Sequence, residues 1–282
     1  MTETLFNRRW VVRVNNLVFD SLEGSVDIAF KVNRTLFSSA NVGSVTLFNL
    51  NATHRAEIAR LRQERRRIRV ELSAGYGEAT PPLLFVGDVR GYEDTSEIPE
   101  TTTRIFGVDG GVKISEQRFT KTYFENTPLA QPIYDLCRAL DIGEGNARLI
   151  EYRFNGQTRL QRPYVMHGLA SRELSRYLAR LGCSWSIQSG NIQVLRHGQV
   201  LRSRGVLLSP ETGLVSARYV DRRTIEIVSA LIPEILPGYR VLVESQRVRG
   251  DFRVHAVEYF GETRGEWACK IECRVPRTTT PY

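Results

Sequence analysis

Lysine is nearly missing from this chain. Of its 39 basic residues only Lys31, Lys113, Lys121 and Lys270 are lysine, and the rest are arginine. Cysteine is as scarce. Cys137, Cys183, Cys269 and Cys273 are too few and too scattered for a disulfide scaffold, and read as buried, reduced thiols of a protein made in a cytosol. No stretch approaches the roughly 20 apolar residues that cross a bilayer, so no membrane partner is expected. The first ten residues hold neither an apolar segment nor a small-residue cleavage site, which argues against a secretory signal.

The motifs of common chemistries are absent as well. There is no CxxC, and His54, His167, His197 and His255 show no metal-binding spacing. Cys269 and Cys273 share one face of a strand and read as structural thiols. No GxxxxGK[ST] occurs. Gly75-Tyr76-Gly77 lacks the third glycine of a dinucleotide loop and is followed by Pro81-Pro82 where a helix should begin. No GxSxG nucleophile turn is present. No cofactor, no metal and no enzymatic activity are therefore expected.

What the chain does have is a net charge of +8 and a strand-forming pattern. The charge permits nucleic acid, acidic proteins or membrane surfaces as partners and selects none of them. Arginine in place of lysine favours fixed, bidentate carboxylate pairs at interfaces. Val26, Ile28, Phe30 and Val32 alternate as one face of a half-buried strand, and Ser44–Leu50 reads as a second. Asn51 is an N-cap for a short helix carrying Ile58 and Leu61. Strands over Ile68–Ser73, Leu83–Val89 and Thr102–Val108 follow.

In the middle the period changes. Ile133, Leu136, Cys137 and Leu140 form one helical stripe, stopped at Gly143, and Leu174, Tyr177, Leu178 and Leu181 form another ending at Gly182. Cys183–Gln188 and Asn191–Leu195, joined by Ser189-Gly190, read as a tight hairpin. The last third returns to strands over Thr224–Leu231, Tyr239–Glu244, Asp251–Tyr259 and Glu266–Val275, before an extended tail.

The strands repeat. Ser44–Leu50 matches Thr224–Leu231, Arg69–Ser73 matches Arg240–Ser245, Leu84–Val89 matches Phe252–Val257, and Thr103–Val108 matches Trp267–Cys273. The expected fold is mainly β with a small α+β insertion: a first β-barrel over 1–123, a middle α+β domain over 124–205, a second barrel over 206–275 and a tail over 276–282.

Two charged clusters are candidate partner interfaces. Arg60, Arg62, Arg65, Arg66, Arg67 and Arg69 crowd a helix-to-strand connection with no aromatic residue among them, which fits a solvated or protein-docking basic edge better than a single-strand binder. Glu93, Asp94 and Glu97 sit in an expected hairpin loop, a solvated tip with partner docking as a second role.

Several stretches, taken in order, resemble baseplate hub proteins of contractile-tailed bacteriophages. They are Phe30–Leu36 followed by Val45–Asn51, then Ala74–Gly77 and Leu84–Val89, then Leu181–Ile187 and Pro237–Ser245. The resemblance implies two tail-tube-like barrels per subunit and a homotrimer whose six barrels join a sixfold tail tube to a threefold central spike. The implied partners are further copies of the chain, the tube and spike proteins and other baseplate proteins, with DNA only in transit. The implied location is the virion tail, assembled in the host cytoplasm. Larger hubs carry lytic modules, and after the second barrel no room for one is expected here. The tail with Tyr282 is expected to reach the spike or an adjacent subunit. Two alternatives stand beside this reading: a nucleic-acid-binding protein with two OB-like barrels, and a cell-wall hydrolase whose carboxylates converge only in the fold.

Overall fold

The computed structural model describes residues 7–24, 26–37, 40–63, 67–97, 100–111, 113–196, 198–201 and 205–275. The chain begins with β1 (Arg8–Val14), β2 (Leu17–Asp20), β3 (Asp27–Thr35), β4 (Val42–Phe48), α1 (Ala52–Gln63), β5 (Arg69–Tyr76), β6 (Leu83–Glu97) and β7 (Glu100–Val108). A mixed segment follows with α2 (Lys113–Glu116), β8 (Arg118–Tyr123), α3 (Gln131–Leu140), β9 (Tyr164–Leu169), α4 (Ala170–Arg180), β10 (Cys183–Gln188) and β11 (Asn191–Arg196). Strands β12 (Val206–Leu208), β13 (Leu214–Tyr219), β14 (Thr224–Ala230), β15 (Arg240–Glu244), β16 (Arg249–Glu262) and β17 (Trp267–Arg274) complete it.

These elements form two compact units. One takes the chain up to Thr35, Asn41–Val108 and the part from Val200 onward; the other takes Asp109–Gln199 with Leu36–Ala40. The unit boundaries therefore fall at 108/109 and 199/200, not at 123/124 and 205/206. The reason is local: β8 pairs antiparallel with β9, Arg118 opposite Leu169 through Tyr123 opposite Tyr164, and so belongs with the helices. Segments 1–123 and 206–275 do not stand as separate bodies either, because β3 pairs with β16 and joins both ends of the chain in one 13-stranded sheet.

The sheet holds the repeat. In the first half the order β3-β4-β7-β6-β5 runs antiparallel throughout; in the second β13-β14-β17-β16-β15 does the same. Register confirms it. Arg69, Asp88, Val108 and Val42 lie side by side across β5, β6, β7 and β4, as Arg240, Arg253, Arg274 and Thr224 do across β15, β16, β17 and β14. Just past that row each long strand bulges, between Val89 and Gly91 in β6 and between Val254 and Ala256 in β16. A bulge turns a strand and raises its twist, so its recurrence at one register position marks two copies of one module. The copies differ at their margins. α1 stands between β4 and β5, whereas a turn joins β14 to β15; β1 joins β5 antiparallel, whereas β12 joins β15 in parallel. Among the described residues the pairing follows an open path.

One core lies under the whole sheet. Alternation puts Ile28, Phe30 and Val32 of β3 inward, with Val45 and Leu47 of β4, Ile225 and Ile227 of β14, and Cys269, Ile271 and Cys273 of β17. At the seam of the two halves Phe30 meets Trp267 edge-on at 5.1 Å. Asn51 caps α1 through its side-chain oxygen, which accepts the His54 backbone N–H at 2.8 Å.

The second unit has its own core, with Ile133, Leu136 and Leu140 of α3 against Leu174, Tyr177 and Leu178 of α4 and the β10–β11 hairpin. Asp141 in the left-handed region ends α3 two residues before Gly143. Ser189 and Gly190 both have positive φ, as a two-residue hairpin turn needs, and their N–H groups donate to the buried Asp109 carboxylate at 2.9 and 2.8 Å.

Candidate functional site

The arginine cluster begins on α1. Arg60 lies 4.0 Å from Glu57 on the same helix. Arg67, just before β5, donates to Asp88 of β6 at 2.7 Å, and Arg69 pairs with Glu71 at 3.0 Å. Arg65, Arg66 and Tyr282 lie outside the described residues; of Arg62 and Glu97 only the backbone, in α1 and β6, is described. Arg60, Arg67 and Arg69 line a groove of about 690 Å³ with Arg13, Leu17, Glu57 and Glu71. Its wall is the β1–β2 turn, where Asn15 accepts the Arg69 N–H through its side chain at 2.8 Å and donates its own N–H to the Arg69 carbonyl at 2.9 Å. Sequence spacing missed Arg13 and Asn15, which come from a hairpin far from the cluster. Each of the three described arginines of the cluster faces a carboxylate, and Arg13 adds a fourth cation, so the groove is a partly compensated basic edge.

The acidic cluster is not in a loop. β6 continues through Glu93 and Asp94 to Glu97, with Glu93 opposite Arg104 and Asp94 opposite Thr103. The β-branched run Thr101-Thr102-Thr103 on the facing strand favours the ladder and carries it outward. Asp94 accepts from the Thr103 hydroxyl at 3.0 Å and stands 3.9 Å from Arg55 of α1. The two clusters thus approach the same helix, α1, through different residues.

The outward face of the shared sheet carries ion pairs between neighbouring strands. Lys31 on β3 pairs with Glu258 on β16 at 3.0 Å, and Lys270 on β17 pairs with Glu226 on β14 at 2.8 Å. Hydrogen bonds from Lys270 and then Arg218 hold the Glu226 carboxyl below the usual glutamate range. Lys31, Glu258 and Lys270 line a shallow depression of about 470 Å³ together with Arg104, Phe260 and Glu262. Cations and carboxylates alternate along it.

At one end of the sheet β13 has no second neighbour among the described residues, and Val215 and Tyr219 on it are 72% and 52% exposed. Such an edge offers unpaired backbone groups to another strand.

All four cysteines are free and buried. Burial pushes the Cys137 thiol up to about 12 and raises that of Cys273 as well, so neither is a ready nucleophile. Among the described residues no group of three or more histidines, cysteines or carboxylates is placed to hold a metal ion.

No family model and no curated protein sequence matches the chain. Solved structures do. A 43 kDa tail protein of prophage MuSo2 from Shewanella oneidensis matches with a TM-score of 0.67 at 10% identity, over 96% of this chain and 97% of that one. The tail protein from Neisseria meningitidis MC58 matches at 0.64 and 9% identity, again over 96% and 97%. A component of the E. coli type VI secretion system, described as structurally similar to the bacteriophage T4 tail proteins gp27 and gp5, matches at 0.58 and 10% identity over 95% of this chain and 77% of that one. The chain has the fold of phage tail proteins and of a gp27- and gp5-like secretion component, in accord with the hub resemblance seen in its strands.

Proposed function

We propose that the chain is a structural baseplate hub protein of a contractile phage tail, in which three copies form a ring that joins the tail tube to the central spike. The carrying observation is the duplicated five-strand module with its matched bulges. A trimer can meet a sixfold tube only if each subunit offers two similar docking units. The fold likeness to tail proteins over nearly the full chain supports the same reading.

The ring forms by pairing or close packing of sheet edges, with β13 as one contributor. DNA crosses the ring without being held. The outward sheet face is suited to line the bore, since its lysines are held by Glu258 and Glu226 and, in the row Arg240, Arg253 and Arg274, the outer two arginines are held by Asp251 and Glu272. The α1 groove and the β6–β7 arm are left for neighbouring subunits and for tube, spike and other baseplate proteins. In this reading the protein is no enzyme, is assembled in the host cytoplasm and resides in the virion tail.

Light-scattering mass of the purified chain, alone and mixed with the products of neighbouring genes, tests it. A species of three times 32.1 kDa supports the hub. A monomer under every such condition overturns it.

A further inference from the structure

The second unit carries a cleft of about 310 Å³ that the ring reading does not use. Its floor is apolar, made by the buried Leu129, Leu160 and Tyr177. Its rim is Arg159, Arg162 and Arg180, and no carboxylate lines it. We propose that this cleft docks a partner protein through a short segment that presents a carboxylate beside an apolar side chain.

Charge is the first argument. Arg138, Arg148, Arg153 and Arg176 of the same unit each have a carboxylate within 3.7 Å. Among the described residues Arg162 and Arg180 have none, and Arg159 spends one N–H on the Asn126 carbonyl at 2.7 Å. Three guanidinium groups around so small a space repel one another, and an incoming carboxylate relieves that repulsion while taking paired N–H bonds.

Pre-organisation is the second. The Arg180 guanidinium lies over Phe154 at 4.3 Å and near the Tyr164 ring at 5.3 Å. Stacking fixes the group before any partner arrives, so less side-chain freedom is lost on binding. The Tyr177 hydroxyl is committed to the Leu129 carbonyl at 3.0 Å, which leaves the floor apolar.

The same geometry selects protein over nucleic acid. Single-strand binders stack bases on open aromatic faces. Here Arg180 covers the face of Phe154, and the volume suits one or two side chains. The proposal is independent of oligomeric state, because all these residues belong to one unit of one chain.

The test is selection of yeast-displayed random dodecapeptides on the full chain, with the Arg162→Glu/Arg180→Glu chain as parallel target. The expected result is enrichment of peptides that set an Asp or Glu beside an aliphatic or aromatic residue. The best of them should weaken at least about tenfold on Arg180→Gln, on Arg162→Gln, or on replacing its own acid by the amide, and should weaken further with added salt. Both arginines are exposed, and Arg162→Gln leaves the aromatic stack intact, so the loss is read on a folded chain. No enrichment, enrichment of peptides without an acid, or equal binding to the charge-reversed chain overturns the proposal. So does an oligothymidine that binds the native chain and not the charge-reversed one.

Discussion

Gly261 on β16 and Phe30 on β3 lie directly opposite each other, and the Phe30 ring fills the space that a Cβ on Gly261 would need, 2.8 Å away. The Trp267 ring closes the same space at 2.5 Å. This is the seam where the first and second copies of the module become one sheet, and the missing side chain is what lets the two aromatic rings interlock there.

Gly261→Ala should therefore destabilise the first unit by about 1–3 kcal/mol, as overpacking does. Differential scanning calorimetry should show that unit's transition falling by several degrees and the helical unit's transition unchanged. Combining it with Phe30→Leu should recover part of the loss, since the shorter side chain vacates the contested space.

The helical unit is sensitive to acid. Asp135 on α3 is buried; burial alone would raise its pKa, but hydrogen bonds from Lys121 at 2.7 Å, Tyr123 at 2.9 Å and Gln131 at 3.1 Å outweigh that and hold it below the usual aspartate range. A folded-state pKa below the unfolded one adds stability that is fully present above the unfolded value and is lost as pH falls through the folded value. The melting temperature of this unit should be level from neutral pH to about 5 and should drop below about 4. Asp135→Asn should cost about 2 kcal/mol at neutral pH and flatten that drop.

Charging the open edge should separate subunits without unfolding them. Val215→Lys with Tyr219→Lys places two cations on β13, where strand-to-strand association is blocked by charge. Sedimentation velocity should show the variant as a monomer under conditions where the native chain is a trimer, with the circular dichroism spectrum of the folded chain unchanged. A variant that still trimerises would remove β13 from the interface.

The groove, whose arginines Arg60, Arg67 and Arg69 each already face a carboxylate, should not bind DNA with useful strength. Fluorescence anisotropy with a labelled oligothymidine in physiological salt should show no saturation below roughly 100 µM. Replacing Arg60, Arg67 and Arg69 together by Gln should leave the titration unchanged. Low-micromolar binding that these substitutions abolish would favour the OB-like alternative.

The legible parts of this fold are those with a regular period. β3 was readable because Ile28, Phe30 and Val32 alternate with polar neighbours, and α3 and α4 because their apolar residues recur at helical spacing. The Ser189-Gly190 turn follows from the backbone that a two-residue hairpin needs. β1 escapes such reading because Arg9 through Val12 are all buried, Arg9 held by Asp20, so no alternation shows. β8 escapes for the opposite reason: most of Arg118–Tyr123 is exposed, and only pairing with β9 makes it a strand. Carboxylates at Glu93 and Asp94 mimic a loop, and the facing threonines override them. The cleft of Arg159, Arg162 and Arg180 has no sequence signal, because a distant helix end and an irregular loop meet only in the folded unit.

A cryo-electron microscopy map of the assembled ring tests the duplication most directly. Six β modules should alternate about 60° apart at one radius, β3–β7 next to β13–β17, with the Lys31–Glu258 face toward the bore. Modules at two different radii, or a bore lined by unpaired arginines, would contradict the account.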